Sequence, residues 1–151
     1  MSTYSYYNIK KTVVDKIIYN VELIIPNETR DYGKLILYLK DNKDINDTDI
    51  FYNNYQLIFN FNLFFYNDNK PLFIKTLSGA IFDYRLLKGK VIKTIDKIMA
   101  KTRSSFYEKY IITMSNGCKY KIITFYLQLK YNIVSIEKIT YNPLIKYNQN
   151  S

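Results

Sequence analysis

Twelve residues in the middle of the chain, from Tyr55 to Tyr66, alternate too cleanly for a helix. Tyr55, Leu57, Phe59, Phe61, Leu63 and Phe65 make an unbroken apolar face, with Gln56, Asn60 and Asn62 opposite. A period of two is the signature of a half-buried strand. At ~3.3 Å per residue the run would reach about 40 Å, so it is expected to bend or cross a barrel corner. Phe64 and Tyr66 fall on the otherwise polar face, where rings pack under a loop or stay open for stacking.

The rest of the pattern is built around that strand. Val21, Leu23 and Ile25 alternate with Glu22 before Pro26-Asn27, predicting a strand over residues 16–25. Leu35, Leu37 and Leu39 predict another over 34–40. Residues 72–77 suit a short strand, ended by Ser78-Gly79. Ser115-Asn116-Gly117-Cys118 is a strong hairpin signal, because Asn-Gly suits a two-residue type I′ turn. That turn would pair residues whose numbers sum to 233, joining strands over 107–114 and 119–129. The register predicts a core face of Phe106, Tyr110, Ile112 and Met114 against Leu127, Phe125, Ile123, Lys121 and Lys119. Tyr107, Lys109, Ile111 and Thr113 would share the polar face with Tyr126, Thr124, Ile122 and Tyr120, Tyr107 lying directly across from Tyr126. A last strand is expected over 133–141, and residues 145–151 read as a polar tail on a single domain, 1–144.

Between these strands lies most of the positive charge. Residues 70–109 hold ten basic against three acidic side chains, a net +7 of the chain's +9, while residues 21–69 carry −4. Within the basic stretch, Val91 or Ile92, Ile95, Ile98 or Met99, and Thr102 recur at helical spacing, with Lys90, Lys93, Lys97 and Lys101 on the other side. The spacing predicts an amphipathic helix over 90–101 whose lysine row would suit an anionic partner. The composition tempers the charge argument. Nineteen Lys to three Arg, 22 Ile to five Val, 16 Asn and 17 Tyr are what an AT-rich genome encodes, so lysine abundance is partly codon bias. Its concentration in one stretch is not explained that way.

Catalytic motifs are missing. With no histidine, Ser-His-Asp and Cys-His schemes, imidazole bases and histidine metal sites are excluded. Asp41, Asp44, Asp47 and Asp49 do not make an EF-hand loop, since counting from Asp44 puts Asp49 at the glycine position and Tyr55 at the bidentate glutamate. They read as a solvated acidic loop. Glu22, Asp83, Glu108 and Glu137 have no spacing that favours a paired-carboxylate hydrolase. The single cysteine, Cys118, rules out an intramolecular disulfide and suits a reducing, cytoplasmic setting; the opening MSTYSYYNIKK lacks an apolar signal region, and no apolar run reaches the ~18 residues of a membrane span. No enzyme activity, cofactor or metal is expected.

A binding protein remains. Single-stranded nucleic acid is held by a basic groove along the backbone and aromatic rings under the bases. The ring candidates are Tyr107, Tyr120 and Tyr126, then Phe64 and Tyr66; the phosphate candidates are Arg85, Lys90, Lys93, Lys97, Lys101 and Arg103. The expected fold is a β-rich α+β domain, a small antiparallel sheet or OB-like barrel, since three strands, a helix and further strands resemble the element order of the OB-fold. In size, composition, the aromatic strand Tyr55–Tyr66 and the hairpin Phe106–Leu127, the chain resembles the small single-stranded-DNA-binding proteins of AT-rich linear genetic elements, including the cytoplasmic linear killer plasmids of yeasts and some AT-rich viruses. That resemblance implies coating of displaced strands during protein-primed replication in the cytoplasm. The expected partners are single-stranded nucleic acid, DNA first and without sequence specificity, and optionally a second copy of the chain. A membrane and a small-molecule substrate are not expected. The rival reading is a non-enzymatic interaction protein, such as a small subunit of a viral or plasmid transcription complex or a virion component. Its tyrosine-rich sheet face would then meet protein.

Overall fold

The computed structural model describes residues 6–25, 32–42, 54–62, 72–98, 107–125 and 134–139. In chain order these form α1 (Tyr6–Val13), β1 (Lys16–Ile24), β2 (Tyr32–Asp41), β3 (Tyr55–Asn62), β4 (Leu72–Thr76), a 3-10 turn (Tyr84–Leu87), β5 (Ile92–Ile98), β6 (Tyr107–Met114), β7 (Lys119–Phe125) and β8 (Val134–Lys138). The strands make two four-stranded antiparallel sheets, β1-β2-β3-β8 (sheet I) and β4-β7-β6-β5 (sheet II). The β-rich expectation holds in this form. The sheets meet along one side, where Ile17 bridges Val91 and backbone bonds link Gly89 N to Ile18 O (2.7 Å) and Ile18 N to Lys90 O (2.9 Å). They do not close into a barrel.

The core fills the space between the sheets. Leu35, Leu37, Leu39, Leu57 and Phe59 of sheet I face Ile92, Ile95, Tyr110, Ile112 and Ile122 of sheet II, all fully buried. Each such side chain contributes on the order of 1.5–3 kcal/mol by leaving water. Phe59 and Tyr110 meet edge to face across the gap, with ring centroids 5.4 Å apart. Gly33 lies where a β-carbon would stand 2.5 Å from Ile24 O and 2.6 Å from the Phe61 ring, so no larger residue fits.

Two elements differ from the sequence reading, each for an identifiable reason. No helix forms over 90–101: residues 92–98 are strand β5, and 99–101 lie outside the described residues. The helical spacing comes from a β-bulge. The register shifts between Ile92 and Thr94, so Ile92 pairs with Met114 and Ile95 with Ile112. The extra residue, Lys93, lets both isoleucines face the core although they stand three apart. The helix of this fold is α1, whose Ile9 and Val13 are buried one turn apart and whose last turn carries Lys10 and Lys11. Asp15, with φ of 62°, turns the chain into β1.

The second difference is the hairpin. Its pairs sum to 232, as in Tyr110↔Ile122 and Ile112↔Tyr120. A type I′ turn needs positive φ at both central residues. Here Gly117 alone has it (93°), so the loop takes three residues and Cys118 pairs with Met114, its N–H also reaching Asn116 Oδ1 at 2.9 Å. Because side chains alternate, this one-residue slip turns β7 over. Tyr120, Ile122 and Thr124 point into the core, and Lys119, Lys121 and Ile123 point out. The acidic loop over 43–53, the turn at 67–71, Phe64, Tyr66 and the tail boundary at 144 lie outside the described residues.

Candidate functional site

With β7 turned this way, the outer face of sheet II gathers the lysines Lys75, Lys109, Lys119 and Lys121. Register fixes its rows. In one row Ile81, Lys75, Lys121, Ile111 and Asp96 lie side by side across the strands. The next holds positions Phe73, Ile123, Lys109 and Ile98, and a third Lys119, Thr113 and Thr94. Residues 80–82 extend the sheet past β4, through Thr76 N–Ala80 O (2.9 Å) and Phe82 N–Ile74 O (2.8 Å). Backbone register also puts Tyr107 opposite Phe125, next to the Phe73↔Ile123 pair.

Four lysines are thus packed together: Lys75 directly opposite Lys121, Lys119 two residues along the same strand, and Lys109 diagonal to Lys121. Like charges facing each other across strands are destabilising by a few tenths of a kcal/mol to about 1 kcal/mol. The face's one acidic residue among those described, Asp96, is engaged by Lys10 of α1 at 2.9 Å. Among the described residues, Lys109, Lys119 and Lys121 enter no ion pair. Ile111 and Ile123 sit half-buried between the lysines, and Ile81 and Ile98 are 65% and 41% exposed at the margins. The result is a flat, cationic, partly apolar surface.

The residues singled out from sequence are scattered relative to it. Tyr120 is a core residue, 6% exposed, its ring 4.3 Å from that of Phe82, and it is not available for stacking. Lys90 lies over the same ring at 5.7 Å, on the seam between the sheets. Lys93 is exposed at the bulge, whereas Lys97 is drawn to Glu108 at 3.1 Å, so the two share no helical row. Arg85 is gripped by Asp83 through two guanidinium nitrogens at 2.7–3.1 Å, and Asp83 also caps the 3-10 turn through Arg85 N at 3.0 Å. These hydrogen bonds from Arg85 hold the Asp83 carboxyl below its ordinary range. Tyr107 pairs in register with Phe125 instead of Tyr126. Tyr126, Lys101 and Arg103 lie outside the described residues.

The alternation Lys119-Tyr120-Lys121-Ile122 was the signal for the lysines missed: polar and apolar residues already take turns there. A two-residue type I′ turn implies the opposite phase for β7.

The four candidate carboxylates do not converge. Glu22 accepts from the Tyr38 hydroxyl (2.6 Å) on sheet I, Glu137 lies on β8, Asp83 holds Arg85, and Glu108 binds Lys97 and the Tyr110 hydroxyl. Near Glu108, burial and then the Asp96 and Glu108 charges push the Tyr6 phenol up, and its buried hydroxyl finds no hydrogen-bond partner. No group of three metal-capable side chains forms among the described residues, and no helix there is long and apolar enough to cross a membrane. No protein-family model matches the chain, nor does any curated protein or solved structure.

Proposed function

We propose that the chain binds single-stranded nucleic acid, DNA first and without reading its sequence, across the outer face of sheet II. The observation that carries this reading is the cluster of Lys109, Lys119 and Lys121 on β6 and β7, none of them in an ion pair among the described residues, set around half-buried Ile111 and Ile123 with Lys75 opposite Lys121. Phosphates relieve the repulsion between the lysines, and unstacked bases cover the isoleucines. A duplex, whose bases are stacked inside, offers only the phosphates. Such binding needs no catalytic group. The AT-rich composition suggests its setting, replication of an AT-rich plasmid or virus in the cytoplasm, with the protein coating displaced strands.

The test is fluorescence anisotropy of labelled oligo(dT), duplex DNA and RNA across a salt series. Four phosphate contacts on a single strand predict a log K–log salt slope of about −3. Oligo(dT) is expected to bind more tightly than duplex. The apolar share of the face, with Ile81 and Ile98 open at its margins, also suits an acidic protein surface. Absence of oligo(dT) binding at low salt overturns the nucleic-acid reading in favour of that protein interface.

A further inference from the structure

The described apolar groups of this face are all isoleucines, and their chemistry bears on which base lies against them. Ile111 and Ile123 stand on adjacent strands, diagonal to each other, each flanked by lysines: Ile111 is opposite Lys121, and Ile123 is opposite Lys109. A branched aliphatic side chain offers neither the π-face that stacks any base equally nor a donor or acceptor that reads a base edge. It does offer a dry surface for a methyl group. Among the natural bases, thymine alone carries one, at C5, and apolar contact is the ordinary way proteins sense it.

We propose that the outer face of sheet II favours thymine over uracil, and hence T-rich DNA over RNA, by seating thymine C5-methyl groups on Ile111 and Ile123 while the neighbouring lysines hold the flanking phosphates. This rests on the nucleic-acid reading above. It is a bias of composition, gained methyl by methyl, and needs no fixed order of bases. The chain's own residue usage fits it: a genome that encodes 22 Ile, 19 Lys, 16 Asn and 17 Tyr in 151 residues is rich in A and T, and its displaced strands are rich in thymine.

The experiment compares oligo(dT) with oligo(dU) of equal length, which share sugar and phosphates and differ only in the methyl. Burial of one methyl-sized group gives about fourfold in affinity, so covering both isoleucines gives roughly an order of magnitude in favour of oligo(dT). The double variant Ile111→Ser/Ile123→Ser leaves no methyl group at either position and is expected to bring the dT/dU ratio close to one, whatever it does to overall affinity. Equal binding of the two oligonucleotides by the unaltered protein overturns the thymine proposal and leaves the nucleic-acid reading standing. So does a ratio that the variant leaves unchanged. Failure of both oligonucleotides to bind overturns the two together. The wild-type comparison decides the question even if the variant does not fold.

Discussion

The two sheets share one core, and their outer faces are opposites. On sheet I, Lys34 and Lys40 are balanced by Glu22 and Glu137, and the centre is closed, with Ile36 6% and Ile58 5% exposed. On sheet II the lysines outnumber the single acid four to one, and Ile111 and Ile123 are only half-buried. Both are four-stranded, antiparallel and rich in Ile and Lys. The lesson is that composition does not distinguish a closed, charge-balanced face from an open, cationic one; neighbour relations do. A lysine beside a glutamate is ordinary surface, whereas a lysine beside a lysine incurs a cost that a ligand can remove.

The comparison breaks most easily at the charges. Neutralising Lys75 and Lys121 to Gln should weaken oligo(dT) binding by about 50- to 100-fold near 50 mM salt and halve the salt slope. The same change at Lys34 and Lys40 should leave anisotropy titrations within about twofold. Equal losses would dissolve the distinction between the faces. Stability sharpens it next. Ile58→Ala removes a buried side chain and is expected to cost about 2–4 kcal/mol, against about 1 kcal/mol for half-buried Ile111→Ala, read from urea midpoints. The smallest effect concerns the loop after β4. Arg85 keeps Asp83 ionised, so the folded carboxyl titrates below the unfolded one. The contribution of the Asp83–Arg85 contact is therefore complete above the unfolded pKa and is lost as pH falls through the folded value. The pair lies at the surface, with the Arg85 side chain 74% and the Asp83 side chain 38% exposed, so the readout is the Asp83 carboxyl chemical shift, expected to titrate at lower pH than an ordinary aspartate.

Strand positions were legible wherever alternation ran unbroken. Leu35-Leu37-Leu39 and Leu57-Phe59-Phe61 face the core, and β6 begins and ends where its pattern does. Illegible were features set by one backbone torsion or one extra residue. A bulge at Lys93 makes strand residues recur at three, a spacing that periodicity alone assigns to a helix. The φ of Gly117 selects a three-residue loop and so decides whether Tyr120 or Lys121 meets solvent. Helix α1 has only two buried apolar positions, too few for a period to show. The lysines followed the fold: those that share a sheet face come from β4, β6 and β7, whereas the expected helical row of Lys93 and Lys97 does not form.

That bulge has a further consequence. Ile92 and Thr94 pair with Met114 and Thr113, which are themselves adjacent, so the ladder with β6 would run without interruption if Lys93 were not there. Lys93 is superfluous to sheet II. What the added residue supplies is a bend, and just upstream of it Gly89 and Lys90 bond with Ile18 of sheet I, while Val91 bridges Ile17 and still accepts from Ser115 N at 2.8 Å beside β6. Lys93 thus works as a hinge pin: it carries no load within either leaf but lets one continuous ribbon fold over and become two.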